Sequence, residues 1–398
     1  MKSTLNAHRL LTGTISDDGY LDNIDISQND ADELNEAKSA IRDSIRIGFK
    51  ATHAELRQSG LFDAMALLHG VPDKPIVPRF MTQGSFAYKT VNDPAHNPPQ
   101  EIDLDDGMYL PVSFISMRGT VRPSIASKEL FRFVEGLLMP LCTQRGWELD
   151  RSKTTCIRVQ ISLNKHIDLP MYSVPDEEFE YFTEALDKSV AFASRSAKTT
   201  YRVIPTDKIM LAHRNGEWEP SDPRKIGVWF RGAVSNHGAV LRRVCRYLKA
   251  WRDHQWANCK LSSITLMAVA VTVFDELNGE LPADRDDLAL LWVAERLPAL
   301  FAGPIKNPVL PSLQLDDEWT DAERHDFQAK ASSLYSELRK AMGDTFVKSL
   351  AIGHFQNALG QRVPNNQMLL TVQTAEEEVK SYPAIQVSAP TVLRSISG

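Results

Sequence analysis

PRFMTQGSFAYKTVNDPAHNPPQEIDLDDGMYLPV, residues 78–112, is the stretch on which the fold turns. It holds one Gly-Ser pair, a proline-rich connector, and then two aspartates separated by a single leucine. Apolar Ile102 and Leu104 alternate with Asp103 and Asp105, so the spacing predicts a strand carrying both carboxylates on one face. Carboxylates so placed repel each other; either water solvates them or a cation sits between them. Side chains at i and i+2 can converge on two divalent ions, the arrangement used for in-line phosphoryl displacement. Magnesium takes hard oxygen ligands and keeps water and phosphate oxygens as the others. Asp-x-Asp alone is a weak sign, because Asp30-Ala-Asp32 and Asp284-Arg-Asp286 share the spacing and read as solvated helix starts.

A third carboxylate would complete the set. In CIRVQISLNKHIDLPMY, residues 156–172, the odd positions Ile157, Val159, Ile161, Leu163, Ile167 and Leu169 are apolar, and the even positions Arg158, Gln160, Ser162, Asn164, His166 and Asp168 are polar. Period-two alternation of this length predicts a half-buried strand or tight hairpin, with Asp168 on its polar face. Gly84 and Ser85 suit an anion: glycine lets backbone approach a phosphate, and the hydroxyl adds a donor, with Gln83 and Tyr88 flanking. In VLRRVCRYLKAWRDHQW, residues 240–256, Leu241, Val244, Leu248 and Trp251 form an apolar face, and Arg242, Arg246 and Lys249 a basic stripe. Such a stripe is a solvated face unless a cleft lies opposite the carboxylates, where it would clamp a triphosphate together with Ser262 and Ser263.

Around these blocks, residues 30–57 show helical spacing, with Leu34, Ala37, Ile41, Ile45 and Phe49 on one face of a helix expected to brace both lobes. From about 75 to 175 the pattern is mixed strand and helix. Beyond about 205 it is helical, with helices at 238–257, 261–277, about 285–301 and 320–342. Ser221, Asp222 and Pro223 read as a helix start. The expected plan is α+β: residues 1–205 as first helix and sheet core, 206–372 as a helical lobe closing the cleft, and 373–398 as a flexible tail.

Composition narrows the classes. A net charge of −6 argues against coating a long nucleic acid. Four cysteines without a C-x-x-C pair argue against a disulfide framework or a structural zinc site, and suit a cytoplasmic protein. There is no signal-peptide pattern at the N-terminus. The most apolar segment, LALLWVAERLPALF, is broken by Glu295, Arg296 and Pro298, so it predicts a core helix and no membrane span.

Five ordered blocks, PRFMTQGSFAYKT, EIDLDDGMYLP, KTTCIRVQISLNKHIDLPMYSVP, SDPRKIGVWF and LRRVCRYLKAWRDHQWANCKLSSITLM, together resemble the cGAS/DncV-like nucleotidyltransferases of bacterial anti-phage systems. The likeness runs from about residue 40 to about 365; the first thirty residues and 275–330 match poorly. It implies a polymerase-β-like nucleotidyltransferase core with a C-terminal helical lobe. It also implies two Mg2+ ions, or Mn2+ in their place, held by Asp103, Asp105 and Asp168, and synthesis of a cyclic dinucleotide second messenger. The first expected product is 3′,3′-cyclic GMP-AMP from ATP and GTP, acting on a downstream effector. By the same resemblance Gln83, Gly84 and Ser85 line the donor triphosphate site with Tyr88 and Tyr109 nearby. Lys249 and Ser263 hold a triphosphate, Arg158 faces the acceptor, and Ser221 and Asp222 reach a base edge. Gly398 is implied as a point of conjugation by a ubiquitin-transfer-like enzyme. The alternatives are a related enzyme that extends RNA ends, or an inactive nucleotide-binding scaffold on the same fold.

Overall fold

The computed structural model describes residues 4–59, 76–112, 127–176, 179, 208–221, 223–277 and 284–373. Asp222, Gly398, the tail and the expected lobe boundary at 205 lie outside the described residues. The chain opens with a short strand β1 (Leu5–Asn6), two short helices α1 (His8–Thr12) and α2 (Tyr20–Asn23), and the long α3 (Gln28–Ser59). A mixed sheet follows, built from β2 (Arg79–Thr82), β3 (Ile102–Pro111), β4 (Glu148–Asp150), β5 (Cys156–Ser162) and β6 (Lys165–Val174) in the order β2-β3-β6-β5-β4. The added strands β7 (Met210–Ala212) and β8 (Trp218–Pro220) extend it from β6. Between β2 and β3 lies the one-turn helix α4 (Gly84–Tyr88), and α5 (Ser127–Arg145) covers the sheet.

The hairpin expected from the alternating stretch is β5 and β6, antiparallel and joined at Leu163–Asn164. In β5 the alternation holds: Ile157, Val159 and Ile161 are buried while Arg158, Gln160 and Ser162 are half-buried. In β6 it does not. Lys165, His166, Ile167, Asp168 and Leu169 are all buried, because β6 lies between β3 and β5 with both faces covered. Leu163, read as inward, sits at the turn and is 94% exposed.

The apolar stripe of α3, Leu34, Ala37, Ile41, Ile45 and Phe49, packs with Phe131, Val134 and Leu138 of α5 and with Leu104 and Ile167 of the sheet. Each large side chain so buried contributes about 1.5–3 kcal/mol relative to exposure. That stripe lies wholly in the sheet lobe, so α3 does not brace both lobes as expected. The segment before it does the joining. Leu5, Leu10, Leu11, Tyr20 and Ile24 are buried in the helical core, and β1 pairs antiparallel with β9 (Thr371–Val372). Residues 5–24, placed from sequence with the sheet core, therefore pack with the helical lobe.

That lobe comprises α6 (Pro223–His237), α7 (Ala239–Gln255), α8 (Ser263–Leu277), α9 (Asp286–Ala302), α10 (Asp321–Arg339) and α11 (Lys348–Leu359). The helix α8 is apolar nearly all round and is the central element, with Leu266 through Val271 buried. A capping box, Thr320 with Glu323, starts α10. Asp286 is not the solvated helix start expected: it is fully buried, accepting two bonds of 2.6 Å from Arg243 and one of 3.0 Å from the Tyr247 hydroxyl. Asp30 is not free either, since Lys165 binds it at 2.6 Å. Among the described residues no helix is long and apolar enough to cross a membrane. All four cysteines are free.

The lobes meet along residues 90–100, which lie against α7. Arg246 donates to Asn92 Oδ1 at 2.9 Å and pairs with Asp25, and Gln100 donates to the carbonyls of Asp253 and Trp256 at 3.0 and 2.8 Å.

Candidate active site

The site is set by strand register. β3 and β6 run parallel with Asp103 opposite His166 and Asp105 opposite Asp168, so all four side chains share one face. Ile102 and Leu104 are buried on the other. Ligand atoms of Asp103, His166 and Asp168 lie within 4.8 Å of one another, and Asp105 stands beside them. Burial, followed by the charges of Asp103 and Asp168, pushes the Asp105 carboxyl up to about 8, against a smaller opposing pull from His166 and Arg158.

Arg158, expected to face an acceptor nucleotide, instead grips Asp168 through two bonds of 2.7 and 2.8 Å. Such a forked pair fixes the carboxylate plane. His166 is a residue that sequence reasoning passed over. Its Nδ1 is 2.5 Å from Glu101 Oε2, and its Nε2 is 3.2 Å from Asp103 Oδ1 and 3.9 Å from Asp168 Oδ2. Burial disfavours a charged imidazole, but the Asp103 contact and the Asp103 and Asp168 charges outweigh it, and the pKa is raised.

Gly84 has φ +59°, and a Cβ there would stand 1.9 Å from Asp105 Oδ2. Glycine is needed for both reasons. Gln83 N–H donates to the Asp105 carbonyl at 2.8 Å, which locks α4 to β3. The Gln83 amide donates to the Tyr109 hydroxyl at 2.6 Å and accepts from Tyr172 at 3.3 Å, and the two tyrosine rings stack at 4.9 Å. Gln83 and Tyr109 thus form a buried floor beneath α4, and neither lines the cavity above it.

That cavity, about 470 Å3, opens between the lobes. Gly84, Ser85 and Tyr88 of α4 and Asp103 and Asp105 of β3 form one wall. Lys249, Arg252 and Asp253 of α7 and Ser263 of α8 form the other. Lys249 donates to the Thr90 carbonyl at 2.6 Å, and burial, then the Arg252 charge, pushes its pKa down to about 8. Arg252 donates to Ser263 Oγ at 3.0 Å and to Asp253 at 2.8 and 2.6 Å. The expected stripe of Arg242, Arg246 and Lys249 does not form one clamp. Arg246 points at Asn92 and Asp25, and Arg242 does not reach the cavity. Only the C-terminal turns of α7 do, and there the second cation is Arg252. Ser221 lies outside the lining, its N–H bonded to the Ile209 carbonyl.

The residues fit a divalent cation. Asp103 Oδ1 and His166 Nε2 are both buried without a hydrogen-bond partner, and they face each other. A buried polar atom left so is costly unless something satisfies it.

Residues 78–172 match the family Cyclic GMP-AMP synthase DncV-like, nucleotidyltransferase domain, and residues 238–372 match Cyclic GMP-AMP synthase, C-terminal domain. The chain belongs to the DncV-like nucleotidyltransferases. It is 32% identical over 317 residues to the cyclic GMP-AMP synthase of Vibrio cholerae, covering 74% of this chain and 70% of that one. A cyclic GMP-AMP synthase of Escherichia coli is also 32% identical, over 329 residues, 78% of this chain and 72% of that one. The crystal structure of Vibrio cholerae DncV with the linear intermediate 5′ pppA(3′,5′)pG superposes with a TM-score of 0.76 at 28% identity, covering 94% of this chain and all of that one. A variant of that enzyme holding ATP and GTP gives 0.77 at 27% identity, covering 93% of this chain and all of that one. The DncV-like fold seen here, a nucleotidyltransferase core with a C-terminal helical lobe, is the one the sequence blocks imply.

Proposed function

We propose that this DncV-like nucleotidyltransferase joins ATP and GTP into a cyclic dinucleotide, 3′,3′-cyclic GMP-AMP. The observation that carries the reading is the opposition, across one cavity, of the Asp103 and Asp105 carboxylates, with Asp168 paired beside Asp105 on the next strand, and a wall of Lys249, Arg252 and Ser263. Asp103, Asp105 and Asp168 would hold two divalent ions, Mg2+ or Mn2+. When bound, these ions lower the pKa of a hydroxyl nucleophile and neutralise phosphate charge.

The remaining work falls to the chain. Gly84, having no Cβ, lets the α4 backbone close onto the Asp105 carboxylate, so that the start of α4 can meet a donor triphosphate beside it, and Ser85 adds a hydroxyl donor. Gln83 and Tyr109 hold that loop from below. Lys249, Arg252 and Ser263 meet the charge that builds on departing pyrophosphate as the acceptor 3′-oxygen bonds to the α-phosphorus and the bond to the pyrophosphate oxygen breaks. Arg158 keeps Asp168 oriented, and Tyr88 borders the donor side. Ser221 and Asp222, just before α6, would read a base edge; Ile226 of that helix lines the cavity. The linear intermediate then reorients so that its own triphosphate becomes the donor for ring closure, and positioning supplies most of the rate. Use of the product in anti-phage defence, through a downstream effector that the cyclic dinucleotide activates, belongs to the same proposal and rests on the family resemblance.

The test is incubation of purified protein with Mg2+ and mixed triphosphates, followed by phosphatase treatment, mass spectrometry and nuclease mapping. A primer-independent, phosphatase-resistant heterodimer of GMP and AMP is expected. Primer-dependent RNA extension, or triphosphate binding without any product, would refute it.

A further inference from the structure

We propose that His166 is a nitrogen ligand of this cluster, and that the ion it shares with Asp103 and Asp168 is a nitrogen-tolerant divalent cation of the Mn2+ kind. The inference deepens the function proposed above and rests on it only in taking the carboxylates to bind a cation. His166 stands directly across from Asp103 in the β3–β6 pairing, two residues before Asp168 on the same face. It is 4% exposed. Its Nε2 has no hydrogen-bond partner, although two carboxylate oxygens lie 3.2 and 3.9 Å away. Asp103 Oδ1, the nearer of them, is equally unpartnered. A cation between the two atoms satisfies both at once.

The rear of the ring supports the same assignment. Glu101 Oε2 lies 2.5 Å from Nδ1, so Nδ1–H donates to Glu101, and an arriving cation that displaces the Nε2 proton would find the lone pair facing Asp103 and Asp168. A carboxylate that fixes the tautomer in this way is the usual backing of a metal-bound imidazole. The nitrogen also decides the class of ion. Mg2+ favours an all-oxygen shell and gives up water reluctantly, whereas Mn2+ takes the same carboxylate oxygens and, as a first-row transition ion, accepts one imidazole nitrogen among them.

Titrating Mn2+ alone into the full chain, with pulsed electron paramagnetic resonance to detect nitrogen coupling to the ion, tests this without any turnover. The parent protein is expected to show an imidazole nitrogen coupling that disappears in His166→Asn. That variant should bind Mn2+ about 10–100-fold more weakly, with a much smaller change in Mg2+ affinity. Glu101→Gln should keep the coupling and weaken Mn2+ by about 10-fold or more, through loss of the backing carboxylate. Should His166→Asn misfold by circular dichroism, the parent spectrum and Glu101→Gln decide alone. An oxygen-only spectrum in the parent, or a nitrogen signal that survives in His166→Asn, overturns the assignment and leaves the carboxylate site standing. Mn2+ binding unaffected by Asp103→Asn and Asp168→Asn overturns the site itself.

Discussion

Gly84→Ala tests the tightest contact in the cleft. The added Cβ would lie 1.9 Å from Asp105 Oδ2, where real Cβ contacts do not fall below 3.0 Å. The carboxylate must therefore retreat by about 1 Å, a displacement that near a reacting centre can cost about 100-fold in rate. The backbone adds its own term, since φ is +59° and an alanine held in the left-handed region costs about 1–2 kcal/mol. An off-rotamer Asp105 would add about 0.5–1.5 kcal/mol, for a total of about 1.5–3.5 kcal/mol. At about 2–4 °C per kcal/mol, the apoprotein should melt about 3–14 °C lower. Rates of cyclic product formation at saturating ATP and GTP, paired with thermal melts, read both effects. The alanine chain keeping parent turnover and melting point would refute the close approach of α4 to Asp105 and the role given to it.

Three further outcomes are expected. Asp105→Asn should abolish product yet raise the apoprotein melting point at pH 8: a carboxyl whose folded pKa is raised to about 8 is a source of stability below pH 4 that is lost as pH rises toward 8, and the amide removes that loss. Added Mg2+ or Mn2+ should stabilise the parent and not this variant, and an unchanged pH–stability curve would count against it. Lys249 has a pKa lowered to about 8, so kcat/KM for triphosphate should decline as pH rises through 8 and the lysine loses its proton. Lys249→Arg should flatten that decline, and Lys249→Met should lower kcat/KM by about 10–100-fold, the worth of a charge-assisted bond. Asp286→Asn should cost about 2–4 kcal/mol in urea unfolding, because it strands the Arg243 guanidinium in the helical core, with activity per folded molecule preserved. Loss of turnover without loss of stability would contradict that structural assignment.

Much of the site was legible because strands print their faces in sequence. Alternation around Asp103 and Asp105, and again around Asp168, is enough to put each carboxylate on the polar face of its strand; the β3–β6 pairing brings those faces together. His166 carries the same alternation, yet nothing local marks it, since its importance comes from standing opposite Asp103 in a pairing made across sixty residues of chain. The basic stripe of α7 was read correctly as a stripe and wrongly as a clamp. Helical periodicity says which residues share a face, but the direction of Arg246 was settled by Asn92 and Asp25, and that of Arg252 by Ser263. Asp286 shows the same limit: an Asp-x-Asp at a helix start looks solvated until tertiary packing supplies Arg243 and Tyr247.

The seat of the first residues also orders assembly. Thr4 bonds to the Met342 and Thr345 carbonyls, Leu5 pairs with Val372, and the Tyr20 hydroxyl reaches the Leu359 carbonyl at 3.0 Å. The sheet lobe is thus threaded through the helical lobe as an insertion. On a ribosome, residues 5–24 emerge before the sheet lobe but find their partners only after residues 342–372 have been made. Contacts of such long sequence separation form late. The sheet lobe, whose strands lie within one continuous run, can condense earlier, so a stalled or truncated chain would present finished carboxylates with no Lys249–Arg252 wall to face them.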